Sequence, residues 1–351
     1  MKKILLLMFA FSVSLANAQV LQSEDFNTLN NGDVGTDITG VTPGQGEWLT
    51  FSTNGAAPTT SDNAGNSNFV IVDNGNEVTN GLKIIGANGN KGSRYMWKDG
   101  LGTAWDGRDL GNDIIEVEFD LYTGAATTST AQVGVRLFGT DDSVTPSVTR
   151  TLNGFVYTMN TRVLTGVAYL NNAGTYNTFL ITLQTGGLIL DADTWYRIGF
   201  AYDSNTGETI WKTPTVYTGL PAANWAGPFI VDEVDFITTT PTTNAAVSEI
   251  IYDNLTVKAA PEEALLNVSE VIAEGSFSVY PNPAKNVLNI SNTINAVVNN
   301  VVLTDLNGRV VKSQNLNTVE GQVNISDLAT GIYMMNVNTD KGSITKKIIK
   351  E

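Results

Sequence analysis

Three carboxylates fall on alternate residues at Glu116, Glu118 and Asp120, and Val117, Phe119 and Leu121 between and after them are apolar. That alternation is a β-strand with one buried and one wet face, and it lines the acids up about 6 to 7 Å apart. Carboxylate pairs at such separations perform glycoside hydrolysis. The same residues also describe a solvated strand face with Arg136 as a cross-hairpin partner, the more economical reading in an acidic chain. A second group, Arg94, Tyr95, Trp97, Trp105 and Arg108, crowds a Gly-rich segment ahead of that strand. Exposed indoles there would stack on the apolar faces of sugar rings while Arg and Asp bond the hydroxyls, which makes Arg94, Trp97, Trp105 and Arg108 candidate ligand-binding residues. Turned inward, the same rings would close one end of a core. Asp253 is the third candidate, because simple alternation puts it on one strand face with Ile251, Leu255 and Val257. A carboxylate near the core must be hydrogen-bonded, paired or bound to a cation, and a hard, oxygen-ligated ion such as calcium fits.

The composition removes whole classes of chemistry. The 351 residues include no histidine and no cysteine. Without imidazole or thiolate there is no Ser-His-Asp triad, no cysteine nucleophile, no disulfide and no His- or Cys-ligated metal. A formal charge of −15 argues against nucleic acid, whose phosphates it would repel. Only 16% of residues are charged, and the surface is left to Asn, Thr, Ser and Gly, which suits neutral polymers. At 42% hydrophobic the chain can bury enough apolar surface for two domains.

The elements that must hold these residues are strands. Strand-like runs recur at Phe69 to Val72, Gly81 to Ile85, Ile114 to Tyr122, Gln132 to Phe138, Gly154 to Met159, Phe179 to Leu183, Trp195 to Tyr202 and Ile250 to Val257. Gly- and Asn-rich turns such as Asp203 to Gly207 separate them, and helical periodicity is rare. The reading is all-β, with a two-sheet sandwich over residues 19–258. Ala259-Ala260-Pro261-Glu262-Glu263 breaks the pattern and opens a linker expected to reach residue 275. At the other end, Lys2 and Lys3 precede an apolar run to Phe11 and the small residues Ala16-Asn17-Ala18. This is expected to be a signal peptide over residues 1–18, too short to span a bilayer, with no transmembrane segment left after its cleavage.

Residues 276–351 carry three ordered blocks: FSVYPNPAKNVLNI, VVLTDLNGRVV and ISDLATGIYMMNVNTDKGSITKKIIK. Tyr333, Met335 and Val337 alternate with Met334, Asn336 and Asn338, and turn chemistry falls at Pro281-Asn282-Pro283, Asn307-Gly308 and Asp340-Lys341-Gly342. The region resembles the type A C-terminal sorting domain read by the type IX (Por) secretion system of Bacteroidota. The resemblance implies a small Ig-like β-sandwich recognised by the outer-membrane secretion machinery, removed by its sortase, and a body released from the cell or attached to its outer surface.

The stretches SEDFNTLNNGD, DTWYRIGFAYDSNTGETIW and EIIYDNLTV resemble the concanavalin-type, laminin G-like jelly roll. That resemblance implies first and last strands lying side by side. It also implies a structural calcium near their meeting point, which would bring Glu24 or Asp25 to Asp253. Laminarinase-type hydrolases of this fold carry Glu-x-Asp-x-Glu on one strand, whereas this chain has Glu-x-Glu-x-Asp. The expectation is therefore a secreted or cell-surface protein for non-catalytic carbohydrate binding or adhesion, with a polysaccharide-degrading enzyme, a glycoside hydrolase or lyase using Glu116, Glu118 and Asp120, as the alternative.

Overall fold

The computed structural model describes residues 18–55, 64–74, 79–266, 277–293, 297–305, 309–339 and 342–351. The expected signal peptide, most of the linker, Ser276 and the turns at Asn307-Gly308 and Asp340-Lys341 lie outside the described residues, Ala18 and Gly342 excepted. Described residues 18–266 form one compact unit and the described residues from 277 onward another. Among the described residues no helix is long and apolar enough to cross a membrane.

The body strands are β1 (Gln19–Glu24), β2 (Gly32–Asp33), β3 (Leu49–Ser52), β4 (Phe69–Asp73), β5 (Asn80–Ile85), β6 (Ser93–Trp97), β7 (Ile114–Tyr122), β8 (Gln132–Asp141) and β9 (Val148–Thr158). They continue as β10 (Val163–Asn172), β11 (Thr175–Thr182), β12 (Leu188–Ile189), β13 (Trp195–Asp203), β14 (Thr209–Lys212), β15 (Tyr217–Leu220), β16 (Ile230–Thr239) and β17 (Glu249–Ala260). One helical turn, α1 (Leu101–Asp106), sits between β6 and β7 and buries Leu101 and Trp105. One sheet runs β15-β14-β13-β7-β17-β5-β4-β2, with β1 on β17; the other runs β11-β10-β9-β8-β16-β6-β3, with β12 on β10. Both sheets join strands far apart in sequence, and the first and last strands are neighbours, as the jelly-roll expectation requires.

Alternation decides what each strand buries. Val117, Phe119 and Leu121 of β7 and Ile198 and Phe200 of β13 are fully buried between the sheets. Phe119 meets Phe155 of β9 edge-on at 6.2 Å and Tyr252 of β17 at 6.1 Å. At about 25 cal/mol per Å² of apolar surface removed from water, such large rings dominate the core and compensate for the missing disulfides.

One boundary moves. Ala259 and Ala260 do not leave the sheet but pair with Ile115 and Ile114 at the end of β17. Beyond them Leu265 is fully buried against Ala201, Ile210 and Ile114. Residues 259–266, read above as the start of a linker, therefore complete the body, because a single apolar side chain finds a hole on the outer face of the sheet.

The second unit is a small sandwich of a three-stranded and a four-stranded sheet, β18 (Phe277–Tyr280), β19 (Val287–Asn292) and β22 (Gly321–Asn324) facing β20 (Val298–Thr304), β21 (Val310–Thr318), β23 (Gly331–Thr339) and β24 (Gly342–Lys350). Tyr333, Met335 and Val337 point inward with Leu288, Ile290 and Ile348. Asn282, between the two prolines, donates to Lys347 O at 2.7 Å and accepts from Ile349 N at 2.9 Å, which pins the last strand to the first turn.

Candidate functional site

The carboxylates of β7 face outward from the sheet as expected, yet only Asp120 stays open to solvent, while Glu116 and Glu118 are buried. β7 lies between β13 and β17, so Asp120 stands opposite Arg197 and Asp253, and Glu116 opposite Ala201 and Lys258. Arg197 donates to Glu118 Oε2 at 3.0 Å and to Asp120 Oδ1 at 3.4 Å. Arg136, expected to be their partner, belongs to the other sheet, opposite Asp235. The strap after β17 then covers the pair of glutamates. Ala264 N donates to Glu116 Oε1, and Leu266 N donates to Glu118 Oε1 at 3.1 Å. Glu116 is buried, its pKa raised first by loss of solvent and, in smaller part, by Glu118. With the strap in place Glu116 and Glu118 are buried, and neither is open to a polymer substrate.

The expected metal residues accept hydrogen bonds from the protein itself. Glu24 accepts from Phe26 N and Trp48 Nε1, both at 3.0 Å, and Asp25 accepts from Asn27 N at 3.1 Å. Asp253 accepts from Asn74 Nδ2 and Asn254 N, each at 2.7 Å. Burial pushes its carboxyl up to about 6, with Asp120 and Asp25 adding to the rise. Among the described residues no three acidic side chains come together in a way that could hold a metal ion. Asp253 also departs from the face-sharing read from the sequence. A bulge after it, with Asn254 at φ 49, shifts the register, so Ile250 and Tyr252 point to the core before it and Leu255 and Val257 after it. Cavities of about 580 and 520 Å³ flank this region and share Asp120, Arg197 and Asn254. Their central polar groups already bond one another: Arg197 Nη1 to Asn254 O at 2.6 Å, and Asn254 Nδ2 to Asp120 Oδ2 at 2.7 Å.

The aromatic segment divides at Gly100, whose φ of 104 turns the chain from β6 into α1. Trp105 is buried on α1, and the Arg108 guanidinium lies 3.9 Å over its ring while bonding Asp113 at 2.8 Å. Arg94 points into the sandwich, fully buried, and donates to Thr53 O at 2.6 Å and Ile85 O at 3.1 Å; burial lowers its pKa to about 10. Arg94 and Trp105 are thus buried, and Arg108 is half-buried and held against Trp105 and Asp113. Trp97 differs, because on β6 it alternates with the buried Met96 and faces out with Tyr95.

Trp97, Tyr95 and Phe51 form one wall of a cavity of about 210 Å³ on the outer face of the eight-stranded sheet, and Glu233 and Asp235 of β16 form the other. Gly40 fixes the indole: at φ +76 it approaches so closely that a Cβ there would stand 2.5 Å from Trp97 Cη2. The Gly40 loop is drawn together by Asp37, which accepts from the Thr39 hydroxyl at 2.7 Å and from the amides of Thr39, Val41 and Thr42. These bonds, that from the Thr39 hydroxyl foremost, hold its carboxyl down at about 2. Asp235 is only 5% exposed, and its Oδ1 has no hydrogen-bond partner; neither has the buried Nε of Arg136 directly opposite. Desolvation first, then the neighbouring Glu233, pushes the Asp235 carboxyl up to about 8, so it keeps its proton at neutral pH. Glu233 is also raised, by burial and then by Asp232 and Asp99. Sequence reasoning missed this acid pair. Its only sequence signal is Asp232-Glu233-Val234-Asp235, which has the same alternation as the β7 acids and no feature to rank it above them.

Solved structures similar to this chain include an endo-1,3-β-glucanase from Streptomyces sioyaensis (11% identity, TM-score 0.43, 70% of this chain and 98% of that chain covered). The family 7 alginate lyase A1-II′ (11%, 0.39, 62% and 94%) and the carbohydrate recognition domain of Emp47p (10%, 0.36, 70% and 97%) are also similar. No curated protein matches the sequence. Residues 278–351 match the secretion system C-terminal sorting domain family, in agreement with the seven-stranded sandwich that they form. The chain thus ends in a type IX sorting domain, which marks it as a secreted or cell-surface protein of Bacteroidota-type bacteria.

Proposed function

We propose that the body binds a polysaccharide outside the cell, in the groove between the Phe51, Tyr95 and Trp97 wall and the Glu233 and Asp235 pair. The observation that carries this reading is Asp235 Oδ1, a buried polar atom without a partner, set beside an aromatic wall. Stacked rings supply apolar area for sugar C–H faces, and the unpaired acid supplies a donor and acceptor for hydroxyls. The sorting domain's own partners are the type IX machinery and its sortase, and many copies on one surface would multiply a weak single-site affinity.

Hydrolysis is the second reading, favoured by one feature. Glu233 and Asp235 alternate on one strand face, about 6 to 7 Å apart, and Asp235 holds a proton that a general acid must supply. The test is a panel of neutral and acidic polysaccharides offered to the protein, with retention and polymer viscosity both followed. Retention without a fall in viscosity supports binding, and a fall in viscosity supports hydrolysis. Trp97→Ala should weaken retention about tenfold or more with little change in thermal stability, since the half-buried ring lies on the outer face of the sheet and outside the core cluster. Equal retention by both proteins would remove the groove from the reading.

A further inference from the structure

Residues 163–190, VLTGVAYLNNAGTYNTFLITLQTGGLIL, contain no charged side chain, in a chain of formal charge −15. They build β10, β11 and β12, and β11 is the last strand of the eight-stranded sheet. Its residues are all exposed or half-buried, with Tyr176 at 55% and Leu180 at 56% exposure. Its register with β10 runs unbroken from Thr165 opposite Thr182 to Asn172 opposite Thr175. Thr178 N bonds the side chain of Asn177 at 2.8 Å rather than β10, so the backbone donors of the even-numbered residues point to the open side. Open edges are normally guarded by charge, proline, a bulge or shortness. β11 has none of these over eight residues.

We propose that β11 pairs antiparallel with the same strand of a second copy, about a two-fold axis at Thr178. In antiparallel pairing, residues that face each other share one side of the sheet, so an identical strand pairs with itself about a residue. Thr178 then meets its own counterpart, exchanging backbone N–H and C=O in place of the Asn177 bond. Tyr176 meets the partner's Leu180, and on the opposite side Asn177 meets the partner's Phe179. Aromatic against aliphatic and Thr against Thr are favourable cross-strand pairs. The occupant is a second copy because this pairing sets Tyr176 against Leu180 twice and Thr178 against itself, and joins the two molecules along a charge-free run, whereas like charge disfavours contact between their acidic surfaces. An axis perpendicular to the sheet leaves both Trp97 grooves facing the same side, a bivalent arrangement, although the pairing itself does not depend on what the grooves bind.

The absence of cysteine makes the test clean. In the chain from Gln19 to Glu351, Thr178→Cys should give a disulfide-linked dimer under mild oxidation, and Asn205→Cys, on an exposed turn, should give far less. By sedimentation the unmodified chain should be dimeric at about 100 µM, and Leu180→Lys should weaken the dimer at least about tenfold. At concentrations where both are monomeric, the unfolding temperature and circular dichroism of Leu180→Lys should match the parent. A monomer at all concentrations, equal cross-linking of the two cysteine variants, or an open-ended ladder of oligomers would each overturn the proposal.

Discussion

Asp235→Asn should remove most of the decline in the body's stability between pH 5 and pH 8, and should make the body more stable than the parent at pH 8. The sign follows from the carboxyl's position. Its folded-state pKa is about 8, whereas an unfolded Asp titrates near 3.9. Between those values the folded protein holds a proton that the unfolded chain releases, so stability is complete below about pH 4 and falls as pH rises toward 8. Each pH unit in that window is worth up to 1.4 kcal/mol, which gives a loss of about 4 kcal/mol from Asp235 alone between pH 5 and 8. Asp253, at about 6, and Glu116, also raised, act in the same direction and remain in the variant. The low carboxyls of Asp37, Asp141 and Asp327 act only below pH 4 and in the opposite direction. Denaturant titrations at pH 5, 6, 7 and 8 measure the slope. If Asp235 were instead ionised and paired with Arg136, Asp235→Asn would destabilise at every pH and leave the slope unchanged, and the groove would lose its proton donor.

The sequence made the strands legible where apolar and polar residues alternate. Ile114 to Tyr122 matches β7 residue for residue, because Val117, Phe119 and Leu121 are all buried and every residue between them is polar. What it could not convey is which sheet a strand joins. The acids of β7 and those of β16 have the same spacing and the same outward direction, and only long-range pairing places Glu116 and Glu118 under a strap and Glu233 and Asp235 in a groove. Trp97 and Trp105 were likewise indistinguishable by composition, since the outcome depends on Gly100 changing the period from that of a strand to that of a helix. Asp253 shows a third limit: a single bulge reverses the parity on which face assignments rest.

The strap provides the largest stability effect. A body ending at Leu266 should be as stable as the body of the whole chain, whereas one ending at Ala260 should lose about 4 kcal/mol or more. Leu265 has no exposure, and removing it uncovers Ala201 and Ile210, the kind of loss that costs about 2 to 5 kcal/mol for a buried leucine. The second part is polar. Glu116 Oε2 already lacks a partner, and without Ala264 N its Oε1 would lose its donor as well, while Glu118 would lose Leu266 N. For a body of this size the combined effect corresponds to a fall of about 10 °C in unfolding temperature. Leu265→Ala in the whole chain separates the two parts, because it keeps both amides and removes only the packing, and should cost about 3 kcal/mol. A body ending at Ala260 with the same unfolding temperature as one ending at Leu266 would return residues 261–266 to the linker. The same contact bounds any removal of the sorting domain: a cut that spares the body must fall after Leu266 and before the first strand of the sorting sandwich at Phe277.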